Sequence, residues 1–181
     1  MKMLVKYENL HAHNVLDREK GCRYSMVRCW DTEKQKVTII MFNPRQLDPN
    51  PYILGQSLSR CVKPIIEDGD FGTIEVVNLF SKTSDRQDDL PKEFQIFEEL
   101  NFEYINKAVE ESSMIVLAWG RKGAVVSRNQ KFIDLITNFQ GKIKCYDILI
   151  NKQPKYPRNI TTETILKDCY MDKRGSIYFA K

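Results

Sequence analysis

The sequence predicts an α/β domain: a mainly parallel central sheet of four strands, covered by helices on both faces as a three-layer sandwich, with an antiparallel strand at its N-terminal edge. Three observations carry that reading. Short apolar runs rich in β-branched residues recur along the chain. They are mostly apolar, with few interruptions such as Thr38 in Val37–Phe42, rather than regularly alternating, as strands buried on both faces are. Segments with helical spacing separate them, and strand–helix alternation implies crossover connections between parallel strands.

A chain of 181 residues suits one domain, 1–181, with residues 1–20 as a polar, weakly patterned peripheral segment. With 42% of residues hydrophobic and 29% charged, disordered and collagen-like classes are excluded. The formal net charge of +4 permits a polyanionic partner without demanding one. Five scattered cysteines, none in a C-x-x-C pair, point to reduced thiols in the cytosol. The N-terminal stretch has no apolar signal core, and the longest apolar run, Met114–Trp119, is too short to span a bilayer. The expectation is a soluble cytoplasmic protein without a membrane partner.

His11 and His13 form an H-x-H pair, which would share a face in a strand. No Cys or carboxylate cluster accompanies them, so a solvated segment is favoured over a metal site. Arg23–Trp30 alternates as a strand and is expected to form an antiparallel hairpin with the next one, with Arg23 and Arg28 on an exposed edge. Val37–Phe42 reads as a buried strand ending at Asn43-Pro44, where proline supplies no N–H to continue a ladder. Leu54, Leu58, Val62, Ile65 and Ile66 recur at helical spacing, predicting a helix over 54–67 that Asp68-Gly69-Asp70 breaks. Thr73–Phe80 is a second buried strand.

A helix over 93–111 follows, with Phe97, Leu100, Tyr104 and Ala108 on one face. Met114–Trp119 is a third buried strand, running into Gly120-Arg121-Lys122-Gly123. A helix over 124–138, a strand over Lys144–Ile150, a short helix near Thr162–Cys169 and a last strand, Ser176–Ala180, complete the order. Parallel strands would bring four polar exits to one edge: Asn43–Asn50, Asn78–Asp89, Gly120–Gly123 and Asn151–Asn159. Ligands of open α/β sheets bind at that edge.

The chemistry there is amide, carboxylate and cation. Asn43 and Asn78 each carry the donor and acceptor needed to read a base edge; otherwise they tie loops to backbone. Asp48 and Asp85 are the carboxylates suited to activating water; otherwise they form turns. Arg45, Lys82, Arg86, Arg121, Lys122, Lys152, Lys155 and Arg158 make the edge basic. The turn Gly120–Gly123, between a strand and a helix, is either an anion site or a glycine-dependent βα turn. Tyr52, Phe80 and Tyr156 either stack a base or pack. Only two histidines are present, both near the N-terminus, so a Ser-His-Asp mechanism is disfavoured. No cofactor or metal is expected.

Six motifs in order, RYSMVRCW, IIMFNP with the following Asp48, SLSRC, VVNLF, VLAWG and PKYP, resemble a bacterial and phage family known as domain of unknown function 1643. They span about residues 23 to 160. The arrangement is similar, more distantly, to the uracil-DNA glycosylase superfamily. That resemblance implies a glycosylase-like fold, with Asn43-Pro44 in a loop that positions water, Asn78 near the base-reading position, Trp119-Gly120 as the W-G pair and Tyr156-Pro157 in the place of an H-P loop. Tyr156 replaces a histidine there, and no glycine stands two residues before Asn43.

Three functions stay open. The first is a glycosylase-like enzyme acting on a nucleotide, nucleoside or nucleic acid. In it Asp48 orients water and Asn43 and Asn78 hold the base. Arg121, Lys122 and Lys155 hold phosphate, and Phe80, Trp119, Gly120, Tyr156 and Arg158 complete the ligand site. The second is a module that binds such a ligand without cleaving it. The third is a protein-interaction surface.

Overall fold

The computed structural model of the chain describes residues 11–50, 53–85, 97–161 and 164–180. Strands β1 (His11–Asp17), β2 (Cys22–Cys29), β3 (Gln35–Met41), β4 (Phe71–Asn78), β5 (Met114–Leu117), β6 (Ile143–Cys145), β7 (Lys167–Met171) and β8 (Ile177–Phe179) join one eight-stranded mixed sheet. Helix α1 is Gln56–Asp68, α2 Glu99–Glu110, α3 Ala124–Ser127 and α4 Gln130–Asn138. No helix among the described residues is long and apolar enough to cross a membrane.

The strand order is β1-β2-β4-β3-β5-β6-β7-β8. β3 runs parallel to both β4 and β5, and β5 is parallel to β6. The antiparallel pairs are β1–β2, β2–β4, β6–β7 and β7–β8. The four expected parallel strands therefore lie side by side at the centre. The sheet is nevertheless wider than expected, because two antiparallel strands extend it on each side.

Several expectations fail at those flanks. The strand 23–30 does not form a hairpin with β3; β4 lies between them. β4 is apolar on both faces and can accept a neighbour on either side, and sequence proximity does not decide which one. Nor is β2 an edge: His11–Asp17, expected in a peripheral segment, covers it as β1. The helix expected near 162–169 is replaced at its C-terminal end by β7, whose residues alternate outward and inward. The helix over 124–138 is two helices, broken where the Asn129 side chain accepts a bond from the Lys131 N–H and caps α4. The strand over 144–150 stops at Cys145. Residues 93–96 of the second predicted helix, and Tyr52 and Arg86–Asp89, lie outside the described residues.

The centre is buried on both faces, as its sequence requires. Val37, Ile39 and Met41 of β3 pack with Cys61, Val62 and Ile65 of α1. The alternate residues Ile40 and Phe42 pack with Ile105 and Ala108 of α2 and Phe132 and Ile136 of α4. Thr38, the polar member of the β3 run, is fully buried and donates its hydroxyl to the Ala108 carbonyl at 2.9 Å. A buried hydroxyl without a partner would cost about 1–3 kcal/mol.

Candidate functional site

The sheet order reverses at β3, with β4 on one side and β5 on the other. A cavity of about 320 Å³ opens where β3 and β4 end, on the face that α1 covers. The backbone holds the two exits side by side: Leu79 N–H donates to Met41 O at 2.9 Å and Phe80 N–H to Phe42 O at 3.0 Å. Met41, Asn43, Pro44, Arg45 and Gln46 line the cavity from the first exit, and Asn78 and Asp85 from the second. Gln56, Ser57 and Leu58, the first turn of α1, line it as well, and Tyr156 reaches it from the last exit.

Asn78 is buried, only 2% exposed, and among the described residues its Nδ2 has no hydrogen-bond partner. Its backbone carbonyl accepts a 2.8 Å bond from Nδ2 of Asn101, a buried residue of α2 that also reaches the Leu79 carbonyl. The strand end is thus fixed from the opposite face while the Asn78 side chain is left to the cavity.

A β-bulge supplies the second buried polar group. In the β1–β2 ladder Val15 opposes Ser25 and Leu16 opposes Arg23, so Tyr24 is the unpaired extra residue. Tyr24 stacks on Tyr104 of α2, and Ser25 bonds Glu75. Arg23, by contrast, lines the cavity with Met26. Strict alternation would have placed Arg23 on the Ser25 face; the bulge turns it to the other, which is a known use of bulges. The arginines expected on an exposed edge are in fact buried, Arg23 to 6% and Arg28 to 3% exposure. Arg23 Nη1 donates to the Gln46 carbonyl at 2.7 Å, and among the described residues its Nε–H has no partner. Burial, and then the neighbouring Arg28, lower its pKa from 12.5 to about 10. Among the described residues no carboxylate forms an ion pair with it.

The remaining predicted residues divide. Asn43 lines the cavity, but its Nδ2 donates to the Pro44 and Ser84 carbonyls at 3.1 and 2.9 Å, tying the two exit loops together. Asp48 lies outside the lining. Its carboxylate accepts from Asn14 Nδ2 at 2.9 Å and Arg18 Nη2 at 2.7 Å, and these bonds hold its pKa below the usual value. Asp85 is the expected carboxylate that does line the cavity, at its exposed rim.

Phe80 is buried on the α2 face, 4.9 Å from Phe42 between ring centroids, and Trp119 is fully buried with its Nε1–H bonded to Gln153. Both pack rather than meet the cavity. Gly120 and Gly123 serve that packing. Gly120 has φ +83°, and a Cβ there would stand 3.0 Å from Cβ of Tyr156; a Cβ on Gly123 would lie 2.1 Å from the Trp119 ring. Within the turn, Gly120 N–H donates to Pro154 O and Gly123 N–H to Gly120 O, so neither glycine amide is left for an anion. Arg121, Lys122 and Arg158 are exposed and outside the lining. Lys155 pairs with Asp147 at 3.2 Å. The Arg158 carbonyl is bonded by Arg60 of α1, which holds the Tyr156 segment against that helix.

His11 and His13 are exposed on β1, and among the described residues no cluster of His, Cys, Asp or Glu is able to hold a metal. Sequence reasoning missed Arg23 as a cavity residue and Asn101 as the brace of the strand end at Asn78. Nothing local to either marks the role: one depends on the bulge, the other on a helix crossing the strand end.

The family described as "Protein of unknown function (DUF1643)" matches residues 23–158. Every described residue lining the cavity, from Arg23 to Tyr156, falls within that stretch. No curated protein and no solved structure matches the chain.

Proposed function

The chain belongs to the DUF1643 family, and we propose that it uses the cavity beside Asn78 to bind a nucleotide, a nucleoside or a base of a nucleic acid. The observation that carries this reading is the buried Asn78 amide with its unpartnered Nδ2. Leaving such a group unsatisfied costs about 1–3 kcal/mol, a cost a ligand acceptor removes. An asparagine amide offers a donor and an acceptor side by side, which matches the edge of a base. Met26, Met41 and Val76 give the cavity apolar walls for a flat ring. Its volume is near the lower end of small-molecule sites, which suits one base with its sugar. The parallel centre β4-β3-β5-β6, with α1 on one face and α2 and α4 on the other, supports the three-layer, glycosylase-like reading.

A second reading, hydrolysis of a glycosidic bond, is favoured by Asp85, a carboxylate on the same lining able to orient a water. Tyr156 then supplies one hydrogen-bond donor toward the departing base. The test is a panel of nucleosides, nucleotides and uracil-containing DNA, read by thermal stabilisation and by base release. Stabilisation lost in Asn78→Leu supports binding, and release lost in Asp85→Asn supports hydrolysis. A panel with no stabilising member removes both.

A further inference from the structure

The structure assigns to Arg23 an anion subsite in the floor of this cavity, so that the ligand carries a phosphate and is a mononucleotide rather than an uncharged nucleoside or base. This rests on the nucleobase reading for the identity of the ligand, but the subsite itself is argued from separate residues.

A guanidinium that is 6% exposed has been taken from water, and what it receives in return is one carbonyl, that of Gln46. Among the described residues its buried Nε–H has no partner and no carboxylate pairs with it, and the neighbouring Arg28 carries a like charge. Burying a charge is tolerated when it is paired, and a buried cation left uncompensated is destabilising. A cavity lies against this one. The missing counter-charge is therefore expected from whatever fills that cavity. A guanidinium fork suits the oxygens of a phosphate, which it can bind in a bidentate manner.

The opposite wall agrees. The first turn of α1 lines the cavity, has no side-chain cap and contains no acidic residue. Its N-terminal amides and the helix dipole favour an anion at that end. Arg45 stands at the rim. The bulge gives the same indication, because it spends a regular ladder position to turn Arg23 from the α2 face into the cavity.

The experiment compares the common nucleosides with their 5′-monophosphates, and inorganic phosphate with chloride at equal ionic strength, on the full chain and on Arg23→Met and Arg23→Lys. The expected result is that a monophosphate binds about tenfold or more tightly than its nucleoside to the parent protein, as a charge-assisted bidentate contact allows. The gap closes in Arg23→Met and is partly kept in Arg23→Lys, which decides the matter if the methionine variant does not fold. Equal binding of monophosphate and nucleoside overturns the subsite and leaves the base reading standing. So does a gap that survives in Arg23→Met, which would place the phosphate elsewhere. If no nucleoside or monophosphate binds, the base reading fails. Inorganic phosphate then decides the subsite: melting raised in the parent but not in Arg23→Met upholds it, and no such difference overturns it.

Discussion

Replacing Arg23 by methionine is expected to make the unliganded protein more stable, although it removes a buried hydrogen-bonded residue. Burial, and secondarily Arg28, lower the Arg23 pKa from 12.5 to about 10. A lowering of that size corresponds to roughly 3 kcal/mol against the charged form in the folded state. The sign follows from linkage. Below pH 10 the group is charged whether folded or unfolded, so the penalty is fully present at neutral pH; it fades only as pH rises from about 10 toward 12.5. Methionine removes the charge and keeps most of the length of the stem. Against that gain stands the bond to the Gln46 carbonyl, worth about 1.5–3 kcal/mol to a charged donor. Gln46 is exposed, so water recovers part of it. The balance is a gain of about 1 kcal/mol, or roughly 2–4 °C in Tm for a chain of this size. Thermal melts followed by circular dichroism at pH 7, in a buffer without phosphate, measure it. Arg23→Lys keeps a charge in the same place and is expected to show no gain. A clear fall in Tm for Arg23→Met would refute the reasoning, because it would mean that the guanidinium is already compensated in the empty cavity.

Three further outcomes are expected. Asn101→Leu strips two buried carbonyls of their donor and should lower stability by about 1–3 kcal/mol, with ligand affinity falling as Asn78 is released; melts and titrations on the same samples check both. Gly120→Ala forces a side chain into a backbone region that only glycine adopts freely, at a cost of about 1–3 kcal/mol, and presses on Tyr156; Gly141→Ala, with no neighbour near its Cβ, should change melting little. Asp48→Asn should leave ligand binding intact, since the carboxylate is outside the cavity. Its folded pKa is held below 3.8 by Asn14 and Arg18, so its stabilising effect is present above that pH and is lost as pH falls through the folded value. The melting difference between parent and variant should therefore close in acid.

How far the sequence led differs between centre and flanks. Val37–Phe42, Thr73–Phe80 and Met114–Trp119 were legible because burial on both faces leaves a mostly apolar run without regular alternation, and the helix after Asn43-Pro44 was legible from its spacing. The pairing of β2 with β4 was not, since antiparallel neighbours far apart in sequence leave no local mark. The C-terminal hairpin was half legible. Ile165, Leu166 and Cys169 fit helical spacing, yet the turn that makes β7 and β8 is written in Asp172, whose carboxylate accepts from Arg174 and Ser176, and in Gly175 at φ +74°.

The site shows the same division. Asn78 and Tyr156, expected at this edge from their places at the ends of a strand and a motif, both line the cavity. Asp48 was favoured over Asp85 by motif position, and only coordinates reveal that Asn14 and Arg18 have claimed it. The cations of Gly120–Gly123 were attractive as a turn before a helix, but the helix that follows, α3, has four residues and the turn bonds to itself. Arg23 was hidden by period-two reasoning, which a single bulge defeats.

The most direct measurement is the side-chain amide signal of Asn78 in a heteronuclear NMR spectrum, assigned by its absence in Asn78→Leu, as nucleoside monophosphates are added. The expected result is a saturable shift of that signal together with the Arg23 Nε–H signal. An Asn78 signal that stays fixed while resonances of Gly120–Gly123 or the exposed β8 edge move would contradict the assignment of the ligand to this cavity.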